Sequence, residues 1–401
     1  MNKETKKWLN STVWGTSLTS FLSDFGHESV TVLLPSFLAS IGAPVYALGI
    51  IEGFSDGLSS FAKLFSGYYS DKLGKRKEIA TLGYVATGVF PAIVAISMSW
   101  PVVLIGRLFG WIGRGVRGPP RDAILAKSVQ EEDLGKAFGV HRAGDTLGAI
   151  AGPALAFLLL SWVGIRDIFW LAVIPGMLAA IVFALAVKEE KTSHLESHKS
   201  IILSMREFSP QFKKFLFAVF LFGIADFSHT MLILFAVTML TPSMGFVQAT
   251  SAGILLYGLR NVVYAAACYP FGALGDKLGR GKMLVFGYTL AVIMFIGFII
   301  SPPDIISYGF LFGLAGVYIA AEDTLEGAVS GHMVEEQRRA LGFGALATVN
   351  GVGDFVSSLV VGMLWSIFGF TAGFFFAAVV GSIGIFALLR NNNFAKQILA
   401  R

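Results

Sequence analysis

The sequence predicts an all-α integral membrane protein with twelve transmembrane helices, built as a duplicated unit of six. Three observations carry this. The 401 residues are 55% apolar and only 14% charged, with a mean hydropathy of +0.70, whereas a soluble domain holds about 25% charged residues. Most of the 31 lysines and arginines fall in alternate connections between apolar segments. The two halves of the chain also repeat each other's motifs in the same order.

Apolar segments run over 12–40, 45–70, 79–98, 101–127, 137–162, 167–187, 213–240, 247–272, 283–301, 306–331, 340–366 and 369–390. Each approaches or exceeds the roughly 20 residues a helix needs to cross a bilayer. The fourth, fifth, tenth and eleventh are weakened by charge and are placed partly by the symmetry of the halves. Thirty-six Phe and 46 Gly suit helices packed closely in lipid. A polar stretch, 188–212, reads as a cytoplasmic linker between an N-terminal half (1–187) and a C-terminal half (213–401). The start, MNKETKKW, precedes a long apolar run with no small-residue cleavage site, so it reads as an uncleaved first crossing. Cys268 is the single cysteine, which excludes a disulfide framework.

Charge fixes the expected orientation. Lys and Arg cluster before the first segment, at Lys72–Lys77, around 127–136, in the linker, at Lys277–Lys282, at Arg338–Arg339 and at the C-terminus. The opposite connections hold Arg166 alone. By the positive-inside rule both termini and the linker face the cytoplasm, as in a multi-pass protein of the plasma (inner) membrane.

Gly67-x-x-x-Asp71-Lys72-Leu73-Gly74-Lys75-Arg76-Lys77 returns as Gly272-x-x-x-Asp276-Lys277-Leu278-Gly279-Arg280-Gly281-Lys282. Asp24-Phe25-Gly26-His27 returns as Asp226-Phe227-Ser228-His229, and Gly135–Gly139 is echoed by Ala340–Gly344. With these motifs the chain resembles the major facilitator superfamily over essentially its whole length. The resemblance implies two pseudo-symmetric six-helix bundles, alternating access and a cavity lined mainly by helices 1, 4, 7 and 10. It implies that Asp71, Lys75 and Arg76, and less fully Asp276 and Arg280, latch the cytoplasmic side. The family's fourth-helix arginine matches Arg107, with Gly113 six residues on, although Trp111 stands where a glycine is usual. Gly148-x-x-x-Gly152-Pro153 is similar to the fifth-helix motif associated with antiporters, with Ala156 and Phe157 replacing two of its glycines.

The polar residues inside the segments are the candidate machinery. Arg107, Arg114, Arg117 and Arg121 fall within roughly 80° of one another on a helix. Such a stripe cannot face lipid, since each charge costs at least about 2.5–3.5 kcal/mol at the bilayer centre. It faces water, acidic partners or a bound anion, as either an internal ion-pair network or a substrate path. Asp24, His27 and Glu28 share a face of the first helix and offer groups that could exchange protons. Asp226 and His229 repeat them in the seventh, so these five join Arg107 and Arg114 as expected substrate or coupling residues. Glu52, Asp56, Asp71, Arg117, Arg121, Asp122, Arg142, Asp145, Asp276, Glu322 and Glu326 are expected to form gating ion pairs. Pro119–Pro120 predicts a kinked or broken fourth helix. His194 and His198 share the linker, where a pair of histidines usually binds nothing.

No metal-ligand motif, nucleophile elbow or phosphate-binding glycine loop is present, so an enzyme is not expected. Without a Walker A sequence, pumping runs on an ion gradient, with H+ the expected ion and no cofactor. The expected activity is secondary transport of a small molecule across the lipid bilayer, proton-coupled and with an export or antiport direction. The alternatives are divalent metal transport and a non-transporting sensor on the same fold. No nucleic-acid partner is expected.

Overall fold

The computed structural model describes residues 8–130, 133–189, 208–334 and 339–390. Among them thirteen α-helices follow one another: α1 (Ser11–Ser40), α2 (Val45–Leu73), α3 (Arg76–Ile96), α4 (Trp100–Lys127), α5 (Leu134–Leu160), α6 (Ile165–Ala186), α7 (Pro210–Gly223), α8 (His229–Met244), α9 (Phe246–Leu278), α10 (Arg280–Ile300), α11 (Ile305–Met333), α12 (Arg339–Phe368) and α13 (Phe370–Leu389). Every apolar segment of the sequence is one helix with nearly the expected ends, except the seventh, which is split into α7 and α8. Eight helices, α3, α5, α6 and α9 to α13, are long and apolar enough to cross a membrane. The others include α1, α2 and α4, with 30, 29 and 28 residues, which are long enough but carry several charged residues within their apolar runs. The result is an all-α multi-pass membrane fold.

Local chemistry sets the ends. Asn10 caps α1: its Oδ1 accepts the amides of Thr12 and Val13 at 2.9 and 3.1 Å, satisfying groups a helix start leaves open. Asp304 does the same for α11 through Ile306 and Ser307, both at 2.9 Å. The repeated motif has a backbone reason for its glycine. Gly74 and Gly279 sit at φ 61° and 104°, a region open to Gly at little cost, and each turns the chain sharply into the next helix. After Gly74, Glu189 holds the start of α3, accepting the amides of Arg76 at 3.1 Å and Lys77 at 2.9 Å. In the second copy Arg280 donates to Asp276 at 2.8 Å and to the carbonyl of Ala328 at 3.3 Å.

The helices divide into two compact units. One holds α1, α2 from Leu58 onward, and α3 to α6; the other holds the start of α2, up to Gly57, with α7 to α13. In the first unit α5 lies against α1 on three glycine rungs. A Cβ on Gly144, Gly148 or Gly152 would come within 2.3, 2.5 and 2.7 Å of the carbonyl oxygens of Ser17, Phe21 and Phe25. The antiporter-like motif is therefore a packing device here, of the small-residue kind that lets membrane helices touch backbone to backbone. In the second unit Gly316 of α11 approaches the carbonyl of Arg260 in α9 equally closely, at 2.4 Å for a Cβ.

The expected break in the fourth helix does not occur, and the seventh segment is interrupted instead. Helix α4 runs through Pro119 and Pro120 without ending. Each proline removes only its own amide donor, and the turns on either side stay anchored, with Gly115 seated on the carbonyl of Ser59. The break lies instead at 224–228, between α7 and α8. Gly223 ends α7, and the amides of Ala225 and Asp226 bond back to Phe222 and Gly223 at 2.7 and 3.0 Å. Ser228 then starts α8, its amide donating to Ser358 Oγ at 3.0 Å.

Candidate functional site

In the first unit the polar face of α1 meets the arginine stripe of α4. Asp24, His27 and Glu28 are all buried, at 4%, 2% and 8% exposure. Arg117 reaches Asp24 Oδ1 at 3.2 Å and also donates to Ser23 Oγ, and its guanidinium lies 4.4 Å over the ring of Tyr84. Arg114 approaches Asp24 Oδ2 at 3.5 Å and Glu28 at 3.8 Å. About two turns back along α4, buried Arg107 donates to Thr31 Oγ1 at 2.9 Å. Trp111 lies between Arg107 and Arg114, 5.1 and 5.2 Å from their guanidinium carbons, and its ring meets that of His27 edge-on at 5.2 Å. Charge, cation–π contact and burial thus fix a compact ion-paired group on two helices.

Nearer the end of α4, Arg121 bonds its neighbour Asp122 at 2.9 Å. On α5, His141 shares a hydrogen bond with Ser20 at 2.9 Å and approaches Asp145 at 3.6 Å, and Arg142 approaches the same carboxylate at 3.5 Å. The stripe therefore divides, but Arg117 belongs with Asp24 and not with the expected gating pairs.

The second unit is built differently. Asp226 sits in the break between α7 and α8 and accepts the hydroxyl of Tyr318 at 2.7 Å. Glu322, one turn further along α11, brings its carboxyl within hydrogen-bonding reach of Asp226. Glu326, a turn beyond, takes Tyr288 on one oxygen and Asn350 on the other, the latter at 2.6 Å. Asp354 of α12 is close enough to interact with Asp226 and Glu326, and Arg260 lies near Asp226. His229 stacks on Tyr257 at 5.1 Å with a 3.3 Å contact between Nε2 and the hydroxyl. Glu52, at the start of α2, accepts Ser228 Oγ at 3.2 Å, and Asp56 lies within electrostatic reach of Asp354.

Of the expected residues, Asp24, His27, Glu28, Arg107, Arg114 and Arg117 form one group. Asp226, Glu322 and Glu326 form another, with Asp56 at its edge. The side chain of Asp71, and His194 and His198 in the linker, lie outside the described residues. The repeat predicts alike surroundings for Asp24 and Asp226, yet Asp24 is held by guanidiniums and Asp226 by a phenol and a second carboxyl. Tyr318, Tyr288, Asn350, Tyr84 and Ser20 were not singled out from the sequence. Tyr318 carries a weak signal, four residues before Glu322 on one helix face. The others reach the site from separate helices and leave no local pattern. Among the described residues no three His, Cys, Asp or Glu side chains converge as a metal site.

Comparison with known proteins agrees with this architecture. The sequence model of the Major Facilitator Superfamily matches residues 16–321 and 230–398. An uncharacterised MFS-type transporter of Methanocaldococcus jannaschii is 32% identical over 370 residues, covering 91% of each chain. The multi-drug resistance efflux pump PmrA of Streptococcus pneumoniae is 26% identical over 318 residues, covering 74% of this chain and 75% of that one. The crystal structure of a bacterial homologue of the human lysosomal transporter Spinster superposes with a TM-score of 0.78 at 16% identity, covering 99% of both chains. That of the nucleoside transporter NupG gives 0.78 at 12% identity, over 95% of this chain and 99% of the other. At such identities the structures speak for the fold. Family, helices and relatives converge, and the chain belongs to the Major Facilitator Superfamily as a non-enzymatic secondary transporter of the membrane.

Proposed function

We propose that this protein is a proton-driven exporter of small organic compounds, working by alternating access between two six-helix bundles. In this reading α7 and α8 together make one crossing, giving twelve, and the termini and the 71–77 and 276–282 connections face the cytoplasm of a plasma membrane. The observation that carries the coupling is the carboxyl group on α11 and the α7–α8 break. Buried acids whose partners are neutral hydroxyl and amide donors can take up and release a proton without tearing an ion pair apart. Asp24, tied to Arg117 and Arg114, is better suited to holding α1 against α4 than to exchanging the proton. The efflux pump PmrA among the relatives supports the export direction. Divalent metal transport gains no support, since no metal-ligand group is formed among the described residues.

The test is transport in proteoliposomes. A panel of fluorescent organic compounds should move opposite to the proton flow when a pH gradient is imposed, and stop when an ionophore collapses it. Flux indifferent to the gradient removes proton coupling from the reading.

A further inference from the structure

Two tyrosines hold matching places in the repeats and find different surroundings. Gly83-Tyr84 in α3 returns as Gly287-Tyr288 in α10, 204 residues on, and each tyrosine is the ninth residue of a 21-residue helix. Both are fully buried, at 0% exposure. In both copies the glycine presses its helix onto the next but one in the packing. A Cβ on Gly83 would lie 2.6 Å from the carbonyl of Gly113 in α4, and one on Gly287 would lie 2.5 Å from the Cβ of Ala321 in α11.

The hydroxyls differ. Tyr288 gives its own to the carboxylate of Glu326. The Tyr84 hydroxyl is buried with no hydrogen-bond partner among the described residues. At the same offset Glu326 corresponds to Asp122 of α4, and that side chain is 40% exposed and bonds Arg121 at 2.9 Å. What faces Tyr84 is positive instead. The Arg117 guanidinium lies 4.4 Å over its ring, and Arg121 is within electrostatic reach of it. Arg117 commits its terminal nitrogens to Asp24 and Ser23. Its Nε is buried and also has no hydrogen-bond partner among the described residues. An O–H and an N–H on adjoining side chains, both deep in the interior, ask for a common acceptor.

The chemistry of that acceptor follows from three points. The second unit meets its own tyrosine with an anionic oxygen, so the repeat itself supplies the precedent. Arg114 and Arg121 both lie within electrostatic reach of Arg117, a field that favours negative charge, while the acids beside them, Asp24 and Asp122, are each already bonded to an arginine. Water would add two more hydrogens to a place lined by donors, whereas an anion only accepts and bonds charged donors more strongly. Packing sets the size. The Tyr84 ring is held between Arg117 and Phe183, the latter at 4.9 Å, and α3 meets α4 in backbone contact at Gly83. Helices so close leave room for a single-atom anion and not for an organic group.

We propose that the first unit holds a halide ion between α3 and α4, bound by the Tyr84 hydroxyl and the Arg117 Nε–H in the field of Arg121. The ion plays the part that the Glu326 carboxylate plays in the second unit. It is a resident ligand and not the cargo, so the proposal is independent of what the protein exports.

The test reads the halide dependence of stability in purified full-length protein in detergent. Thermal unfolding is followed as sodium chloride replaces sodium gluconate at fixed ionic strength, which holds screening constant. A ligand of the folded state raises the midpoint in a saturable way, here by about 5 °C or more at a hundredfold excess over half-saturation. Chloride and bromide should both do this, and equilibrium dialysis with radioactive chloride should find a single ion per chain. Tyr84→Phe keeps the ring and removes the donor. It should raise the half-saturating chloride concentration about tenfold or more. In gluconate it should be at least as stable as the parent, because a buried hydroxyl without an acceptor is gone. A tyrosine that only packs would give the reverse, with stability lost in gluconate and the chloride response unchanged, and that result refutes the site. Tyr288→Phe should destabilise the protein equally in both salts. Should Tyr84→Phe fail to fold, Arg117→Lys keeps the charge, lacks the Nε–H and should weaken chloride binding likewise. Identical midpoints in chloride and gluconate overturn the proposal and leave the two donors to water. A chloride effect retained in full by Tyr84→Phe and Arg117→Lys puts the ion elsewhere and overturns it too.

Discussion

Removing the carboxylate of Asp24 should be among the most damaging single changes in the first unit, and restoring charge balance should rescue it. The side chains of Arg117 and Asp24 are 3% and 5% exposed and 3.2 Å apart. Taking one partner from a buried pair leaves an uncompensated charge and costs roughly 3–5 kcal/mol. For a unit of this size that corresponds to a fall of about 6–20 °C in the unfolding midpoint. Arg114 is the contrast. Its side chain is 29% exposed and its acids stand at 3.5 and 3.8 Å, so Arg114→Gln should cost less than about 1 kcal/mol. Replacing both Asp24 and Arg117 with apolar residues of similar volume should recover most of the loss, since a buried pair is often no better than well-packed hydrocarbon. The assay is a double-mutant cycle read by thermal unfolding in detergent, followed by size-exclusion chromatography. Strictly additive losses for Asp24→Leu and Arg117→Met, or an Arg114→Gln loss as large as that of Arg117→Met, would show that this pair does not hold α1 to α4.

Gly148→Ala puts a Cβ 2.5 Å from the carbonyl of Phe21, which forces α5 off α1 and should cost about 1–3 kcal/mol; wild-type thermal stability in that variant would mean the rungs are loose. Tyr288→Phe removes one of the two donors on Glu326 and should lower stability by about 1–3 kcal/mol, with Asn350→Leu acting on the other oxygen. Asp304 is held below the ordinary aspartate range, first by the backbone amide of Ser307, then by its hydroxyl and the amide of Ile306. A depressed native value means its contribution is full above the ordinary aspartate range and fades as pH falls through the native one. The thermal advantage of the parent over Asp304→Ala should therefore be present at neutral pH and shrink in acid; a constant difference would contradict the cap. In a Cys268→Ser background, cysteines placed at Lys75 and Ser301 should label from opposite faces of sealed cells, and labelling of both from outside would invert the proposed topology.

The helix pattern was legible because it rests on local composition and on the repeat between the halves. Apolar runs of crossing length, punctuated by glycine and by clusters of Lys and Arg, locate α1 to α6 and α9 to α13 to within a few residues, the largest difference being the end of α9 at Leu278. Those signals are local, and so is the repeated Gly74 and Gly279 turn. The arginine stripe was legible for the same reason, since spacing along one helix is written in one stretch of sequence. Its partners were not. Whether Arg117 reaches Asp24 or Asp122 depends on how α1 packs against α4, and that is set by backbone contacts between glycines and distant carbonyls. Pro119 and Pro120 do not break α4, because two lost amide donors do not end a helix whose neighbouring turns are packed. Tyr288 and Asn350 meet Glu326 from two other helices, so nothing in either's own segment marks it.

One exchange between the repeats accounts for much of the structural asymmetry between Asp24 and Asp226. Gly26 in the first copy stands where Ser228 stands in the second. A Cβ on Gly26 would lie 2.6 Å from the carbonyl of Ala172, so α1 needs glycine there to press against α6, and under that contact it stays helical from Ser11 to Ser40. Ser228 has a hydroxyl that bonds Glu52 and Thr230, and serine competes with helical hydrogen bonding wherever its side chain finds polar partners. With Gly223 five residues earlier pressed against Gly353, the chain leaves the helix between them. The same Asp-Phe-x-His motif is thereby mounted on a continuous helix in one unit and beside an interruption in the other. On the continuous helix the aspartate is locked by arginines. At the interruption it meets a second carboxyl, and the proton exchange proposed there would break no ion pair.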